Sequence, residues 1–194
     1  FYVAVAARNL LGVFLSSQGG RSETFNNIGL QNENVRVLKM QQDAVRTFLW
    51  AGVTVAGNEP GKGCFRWELQ GSELPKPAAK FQKGWEGGSC HALAFKGPHA
   101  FAGTNDKGVL WLDITKGDGA SWHVPPDLKG GLPVRDAERV FQPVTEVAAH
   151  SEETCVLAGG PEGVYRSDDN GTLYHSVSEK NFTDKVTIPS TWLF

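Results

Sequence analysis

Apolar and polar residues alternate at period two in short runs along most of this chain, and glycine-rich turns separate the runs. Val35-Arg36-Val37-Leu38-Lys39-Met40, His91-Ala92-Leu93-Ala94-Phe95 and Val144-Thr145-Glu146-Val147-Ala148 all follow this pattern. Such alternation puts successive side chains on opposite faces of an extended strand. Each run is followed by a second, made of small and apolar residues: Phe48-Leu49-Trp50-Ala51-Gly52, Ala100-Phe101-Ala102-Gly103 and Val156-Leu157-Ala158-Gly159. Small residues suit a strand packed closely between neighbours. Ala4-Val5-Ala6 has the same character but no alternating run before it.

A third strand follows in every case. Gly12-Val13-Phe14-Leu15-Ser16, Gly63-Cys64-Phe65-Arg66-Trp67, Gly108-Val109-Leu110-Trp111-Leu112 and Gly163-Val164-Tyr165-Arg166-Ser167 align on their glycines. The period is roughly 50 residues, within the range of propeller blades. A fourth, outermost strand falls near Thr24-Phe25, near Ala120-Ser121-Trp122-His123 and at Leu173–Val177; in the second repeat Phe81 or Trp85 marks it. The expected fold is all-β: a β-propeller of four-stranded antiparallel blades, about four in this chain. The blades would run 1–33 completed by 186–194, then 34–87, 88–142 and 143–185, as one domain. Two connections, 71–88 and 125–143, are long enough to be functional loops. Within the second, Asp136-Ala137-Glu138-Arg139-Val140-Phe141 predicts one helical turn.

The fourth repeat carries the most specific motif. Ser167-x-Asp169-x-Gly171-x-x-Tyr174 resembles the Asp-box of the BNR repeat family, Ser/Thr-x-Asp-x-Gly-x-x-Trp, with Tyr in place of Trp. A short acid accepts backbone N–H bonds across such a turn, glycine supplies a positive φ, and the aromatic folds back over the sheet. The resemblance implies that Ser167, Asp169, Gly171 and Tyr174 are structural and close the hairpin between the third and fourth strands of a blade. Ser16-x-Gln18-x-Gly20 is a degenerate copy, with glutamine replacing the acid and Phe25 the nearest following aromatic.

Composition narrows the function. The chain has 194 residues, 40% of them hydrophobic, with a net charge of -2, 23 glycines and 10 prolines. This is a globular composition rich in turns. The balanced charge gives no bulk attraction to nucleic acid or to a membrane surface. No apolar run approaches the ~18 residues of a transmembrane helix. The absence of an initiating Met, and a start inside a strand-like run, lead us to expect a piece of a longer protein. Cys64, Cys90 and Cys155 form an odd set without metal-ligand spacing, and read as buried free thiols of a reducing compartment such as the cytoplasm. The sequons at Asn170 and Asn181 are too few to argue secretion.

Candidate chemistry is sparse. Gly57-Asn58-Glu59-Pro60-Gly61-Lys62-Gly63 fails as a phosphate loop: the first glycine is one position too near, no Ser or Thr follows Lys62, and a strand comes next. It reads as a hairpin turn. The five histidines, His91, His99, His123, His150 and His175, have no helical pairing. Cys90 and His91 are adjacent strand residues pointing to opposite faces, so no metal is expected. Asp168-x-Asn170-x-Thr172 has a calcium-loop flavour that the turn already explains. A sialidase shares the repeat, but its Phe-Arg-Ile-Pro motif is missing and Phe65-Arg66-Trp67 sits inside a strand. The acidic pairs Glu152-Glu153 and Asp168-Asp169 lie in turns. We therefore expect no catalytic residue and no cofactor.

Trp50, Trp67, Trp111 and Trp122 fall on strands and suit packing between blades. Trp85 lies in Lys83-Gly84-Trp85-Glu86-Gly87-Gly88, where little can bury it locally. In an up-and-down blade, the long connections share one face with turns 56–62, 104–107 and 160–162, opposite the Asp-box. The binding residues expected there are Trp85 as anchor, with Lys83, Arg135, Arg139 and Lys62 around it. A mixed, mildly basic rim suits a protein surface or an acidic glycan better than duplex DNA. The resemblance covers other non-catalytic propellers, such as the photosystem II stability factor. It implies an interaction module within a larger protein or assembly, of which a phage-tail-like machine is one example. The alternative is a sialidase-like glycoside hydrolase. The ring is expected to close by pairing Val186–Pro189 and Thr191–Phe194 with the N-terminal strands, which removes two exposed edges.

Overall fold

The computed structural model describes residues 1–177, apart from positions 8, 44, 58, 136, 138 and 152. The chain is all-β, with small antiparallel sheets following one another in sequence. The first contains β1 (Val3–Ala7), β2 (Gly12–Ser16) and β3 (Asn26–Gly29). The second contains β4 (Asn34–Gln42), β5 (Thr47–Thr54), β6 (Cys64–Leu69) and β7 (Ala79–Phe81). The third contains β8 (Cys90–Lys96), β9 (His99–Thr104) and β10 (Val109–Asp113), with Trp111 bridging His123 where a fourth strand would run. A two-stranded hairpin of β11 (Val134–Arg135) and β12 (Val140–Phe141) precedes the last sheet. That sheet contains β13 (Glu146–Ala149), β14 (Val156–Gly160), β15 (Gly163–Ser167) and β16 (His175–Ser176).

Among the described residues, the second and the last sheets have four strands each. The first starts at the strand that corresponds to β5 and β14, as expected from Ala4-Val5-Ala6 lacking a partner run. Residues 186–194, expected to complete it, lie outside the described residues. Where a helical turn is expected at 136–141, Val140–Phe141 form β12 and pair with β11, Val134 opposite Phe141, while positions 136 and 138 lie outside the described residues. Phe141 is buried in the core, and pairing with β11 carries its ring there.

The sheets stack face to face, and every second residue feeds a different core. On β5, Leu49, Ala51 and Val53 join Val13, Leu15 and Trp67 between the first and second sheets. Phe48 and Trp50 on the same strand turn the other way and join Leu110, Leu112 and Trp122 between the second and third. Phe101 and Val109 meet Val144, Val156 and Tyr174 between the third and fourth. Two-sided burial explains why the β5 sequence is an unbroken apolar run rather than an alternating one. Indole N–H groups tie the stack together: Trp67 Nε1 donates to Ile28 O at 3.0 Å and Trp122 Nε1 to Phe81 O at 3.0 Å. Buried Trp50 donates to Gln41 Oε1 at 2.7 Å, so none of the three buries an unpaired donor. The first strands of the second, third and last sheets run side by side, β4 next to β8 and β8 next to β13, and β4 also lies next to β1.

Trp67 is 1% exposed and fills the space between two sheets. Trp67→Ala should lower the unfolding free energy in urea by roughly 3–5 kcal/mol, leaving Ile28 O without its donor.

Candidate functional site

The ends of the first strands converge on one groove. Val35 pairs with Val53 and Val37 with Gly52, so Arg36 is an extra, bulged residue. Cys90 pairs with Thr104 and Ala92 with Gly103, which makes His91 the equivalent bulge. In the fourth sheet Glu146 faces Gly159, and the preceding Thr145 N–H also donates to Gly159 O at 2.9 Å. A bulge adds local twist and re-aims the side chain it carries. Here the repetition brings Arg36, His91 and Thr145 to the same level in three neighbouring strands. With Lys39 and Glu146 they line a groove of about 300 Å³. Two cationic groups, an imidazole and a hydroxyl thus stand near one carboxylate, an arrangement that can hold an anionic group beside hydroxyls.

The bulges lie at the end of the sheets where β5 turns into β6 and β9 into β10. On that same face, Gly57 and residues 59–61, segment 85–88 and turn 105–107 enclose a cleft of about 430 Å³. The Asn105 N–H donates to Ser89 O at 3.2 Å and the Val55 N–H to Ser89 Oγ at 3.1 Å, which joins the two turns to one connection. Asp106 lies on the cleft wall. Its Oδ1 is buried and has no hydrogen-bond partner among the described residues. Burial pushes the Asp106 carboxyl above its ordinary range, against the opposing pull of Lys107 and Arg135.

Trp85 is not an exposed anchor. Only 8% of it is accessible, and it packs edge-on against Trp122 with centroids 5.1 Å apart. Its Nε1 donates to Gly88 O at 3.0 Å, and Gly61 lies directly on the indole, where a Cβ would clash. The flanking glycines suggest exposure, but Gly61 from another turn closes over the ring. Lys62 turns away to an ion pair with Glu33 at 2.7 Å. Lys83 is exposed, and its backbone carbonyl accepts from Trp122 N at 2.9 Å. Arg135 is half-buried on β11 near Asp106, and Arg139 is exposed in the hairpin turn with a φ of 52°. Of these five residues, Trp85 alone lines the cleft. Arg36, His91 and Thr145 were missed as a site. The signal for them was the glycine near the end of each second strand: Gly52 and Gly103 opposite the two bulges, and Gly159 opposite Glu146.

The opposite face is self-contained. Ser167 Oγ accepts from Gly171 N at 2.8 Å and Asp169 N at 3.3 Å, and donates to Asp169 Oδ1 at 2.7 Å. Asp169 Oδ1 also accepts from Thr172 N at 3.0 Å and Leu173 N at 2.9 Å. Gly171 has a φ of 85°, and a Cβ there would press on Phe101 and the Tyr174 hydroxyl. Tyr174 is buried in the core beneath the turn, and burial raises its phenol far above the ordinary value. Among the described residues no group of three His, Cys, Asp or Glu side chains is placed to hold a metal ion. No described helix is long and apolar enough to cross a membrane.

No protein-family model matches the chain, and no curated protein matches it. The reading of the site rests on its own geometry.

Two titrations follow. Burial alone would raise the Asp169 carboxyl, but hydrogen bonds from Leu173, Ser167 and Thr172 outweigh it and hold the group below its ordinary range. Its stabilising contribution is complete above the unfolded pKa and lost as the pH falls through the depressed folded pKa. Asp169→Ala should lower stability at pH 7 by about 1 kcal/mol, because the carboxylate is exposed and solvent competes for its bonds, and melting curves of the two proteins should converge in acid. Asp106 has the opposite sign, because its raised pKa makes the ionised form a penalty above that pKa. Asp106→Asn should raise the melting temperature at pH 7, with the gain shrinking as acid protonates the wild-type carboxyl.

Proposed function

We propose that the chain is a non-catalytic recognition module of the BNR-like β-propeller kind, part of a larger protein or assembly, which binds a protein or glycan partner on the face opposite the Asp-box. The observation that carries this reading is one groove on that face, lined by the bulged Arg36 and His91 and by Thr145 of the neighbouring sheet. The propeller reading draws support from the side-by-side first strands and from the Ser167 turn. The outward faces of the first and fourth sheets carry Val5, and Leu157 and Val164, each at least 38% exposed. Apolar residues at these two ends suit further sheets packed beyond them, or each other across a closed ring.

Arg36 and Lys39 favour an acidic partner, while Glu146 opposes the dense positive stripe that duplex DNA would need. The partner surface combines this groove with the Asp106 cleft. Trp85 contributes as the buried support of the cleft wall rather than as a contact.

A glycan array and a fluorogenic sialoside assay on the same preparation test the assignment. The expected result is no turnover, with ligand binding that falls at least tenfold in Arg36→Ala and is retained in a folded Gln18→Ala control on the opposite face. Turnover of the sialoside would replace this reading with the sialidase-like one.

A further inference from the structure

Cys64 and Cys90 belong to different sheets and meet in the core between them. Cys64 opens β6 and Cys90 opens β8. Their sulfur atoms are 3.8 Å apart, and neither residue exposes any surface. Gly52 stands opposite Cys64 on β5, and a Cβ at Gly52 would run into the Cys90 sulfur. The missing side chain is what makes room for the second thiol beside the first. A disulfide needs a sulfur separation of about 2.05 Å, so the two atoms have under about 2 Å to travel. Cys155, just before β14 in the fourth sheet, has no part in this pair.

We propose that Cys64 and Cys90 are a disulfide site that staples the second sheet to the third, closed by a small-molecule disulfide such as oxidised glutathione. One cysteine gives its proton to solvent, and its thiolate attacks a glutathione sulfur. The glutathione S–S bond breaks, and one glutathione leaves as thiolate. The second cysteine, deprotonated in turn, attacks the protein sulfur of the mixed disulfide and expels the other glutathione. Two protein thiols lose two protons and two electrons, and one oxidised glutathione becomes two reduced ones.

Burial disfavours the Cys64 thiolate in the folded protein, so the native thiols exchange slowly. The bond forms fastest while the third sheet is still undocked. The loop it closes, residues 64–90, holds β7 and the segment with Trp85, Glu86 and Gly88. That segment is one wall of the Asp106 cleft. Oxidation therefore fixes this wall, whatever the partner proves to be.

The test uses the unaltered chain, unfolded with reductant and refolded in mixed oxidised and reduced glutathione. Remaining thiols are alkylated and the digest is mapped by mass spectrometry. The expected product joins the Cys64 and Cys90 peptides, carries an alkylated Cys155, and melts roughly 5–10 °C above the reduced protein. A second arm adds oxidised glutathione to the folded protein, where the same link should form more slowly than during refolding. Recovery of the native tryptophan spectrum with Cys64 and Cys90 both alkylated would overturn the proposal. So would a linked product that melts below the reduced protein.

Discussion

The distance between neighbouring sheets is set at two glycines. Gly52 and Gly103 occupy equivalent places near the ends of β5 and β9, and each faces the first strand of the following sheet. A Cβ on Gly52 would strike Cys90 and Val37, and one on Gly103 would lie 2.7 Å from Val144 O. Because neither position has a side chain, the next strand comes close; beside Gly103 the Val144 N–H donates to Thr104 O at 2.9 Å. The same glycines oppose the bulges at Arg36 and His91. Close approach and re-aimed side chain are thus one device. Moving the next strand away to fit even a methyl group would open the core and misplace the groove together.

That device explains what was legible in the sequence. Period-two runs and small-residue strands show in composition because burial on one or both faces leaves few other choices. The glycine at the start of each third strand showed the repeat. Strand starts moved where pairing depended on a partner outside the window: β3 begins at Asn26, beyond the Thr24-Phe25 expected, because Leu15 pairs with Asn26. The β11–β12 hairpin looked helical because Asp, Ala, Glu and Arg have no strand preference of their own. Burial of Phe141 overrides that local preference.

The candidate site was less legible, for a different reason. Trp85 looked exposed because nothing near it in sequence could cover it. What covers it is Gly61, contributed by another turn, and Trp122, contributed by the next sheet. Exposure is a property of tertiary neighbours, and glycine is ambiguous about it: it leaves a side chain open to solvent, or it lets the backbone come down on it. Lys62 shows the same limit. Its charge was legible, but its ion pair with Glu33 is 29 residues away in sequence.

The two turns on the other face show which part of the box holds the hairpin. In the first sheet, Ser16 Oγ accepts from Gln18 N at 3.2 Å and Gly20 N at 3.1 Å. In the fourth, Ser167 Oγ accepts from Asp169 N and Gly171 N, at the same two offsets. Both serines are fully buried, and both glycines have positive φ, 77° and 85°. The acid is therefore not what the two turns share. A buried hydroxyl that receives two N–H groups satisfies donors the turn would otherwise leave unpaired. Asp169 adds bonds to Thr172 and Leu173 and seats the strand that follows; in the first sheet Thr24 bonds to Ser16 at 2.6 Å instead. Serine and glycine define the turn, and the residue between them decides how the outermost strand leaves it. This is why the Ser16 turn, without the acid, still forms the same kind of hairpin.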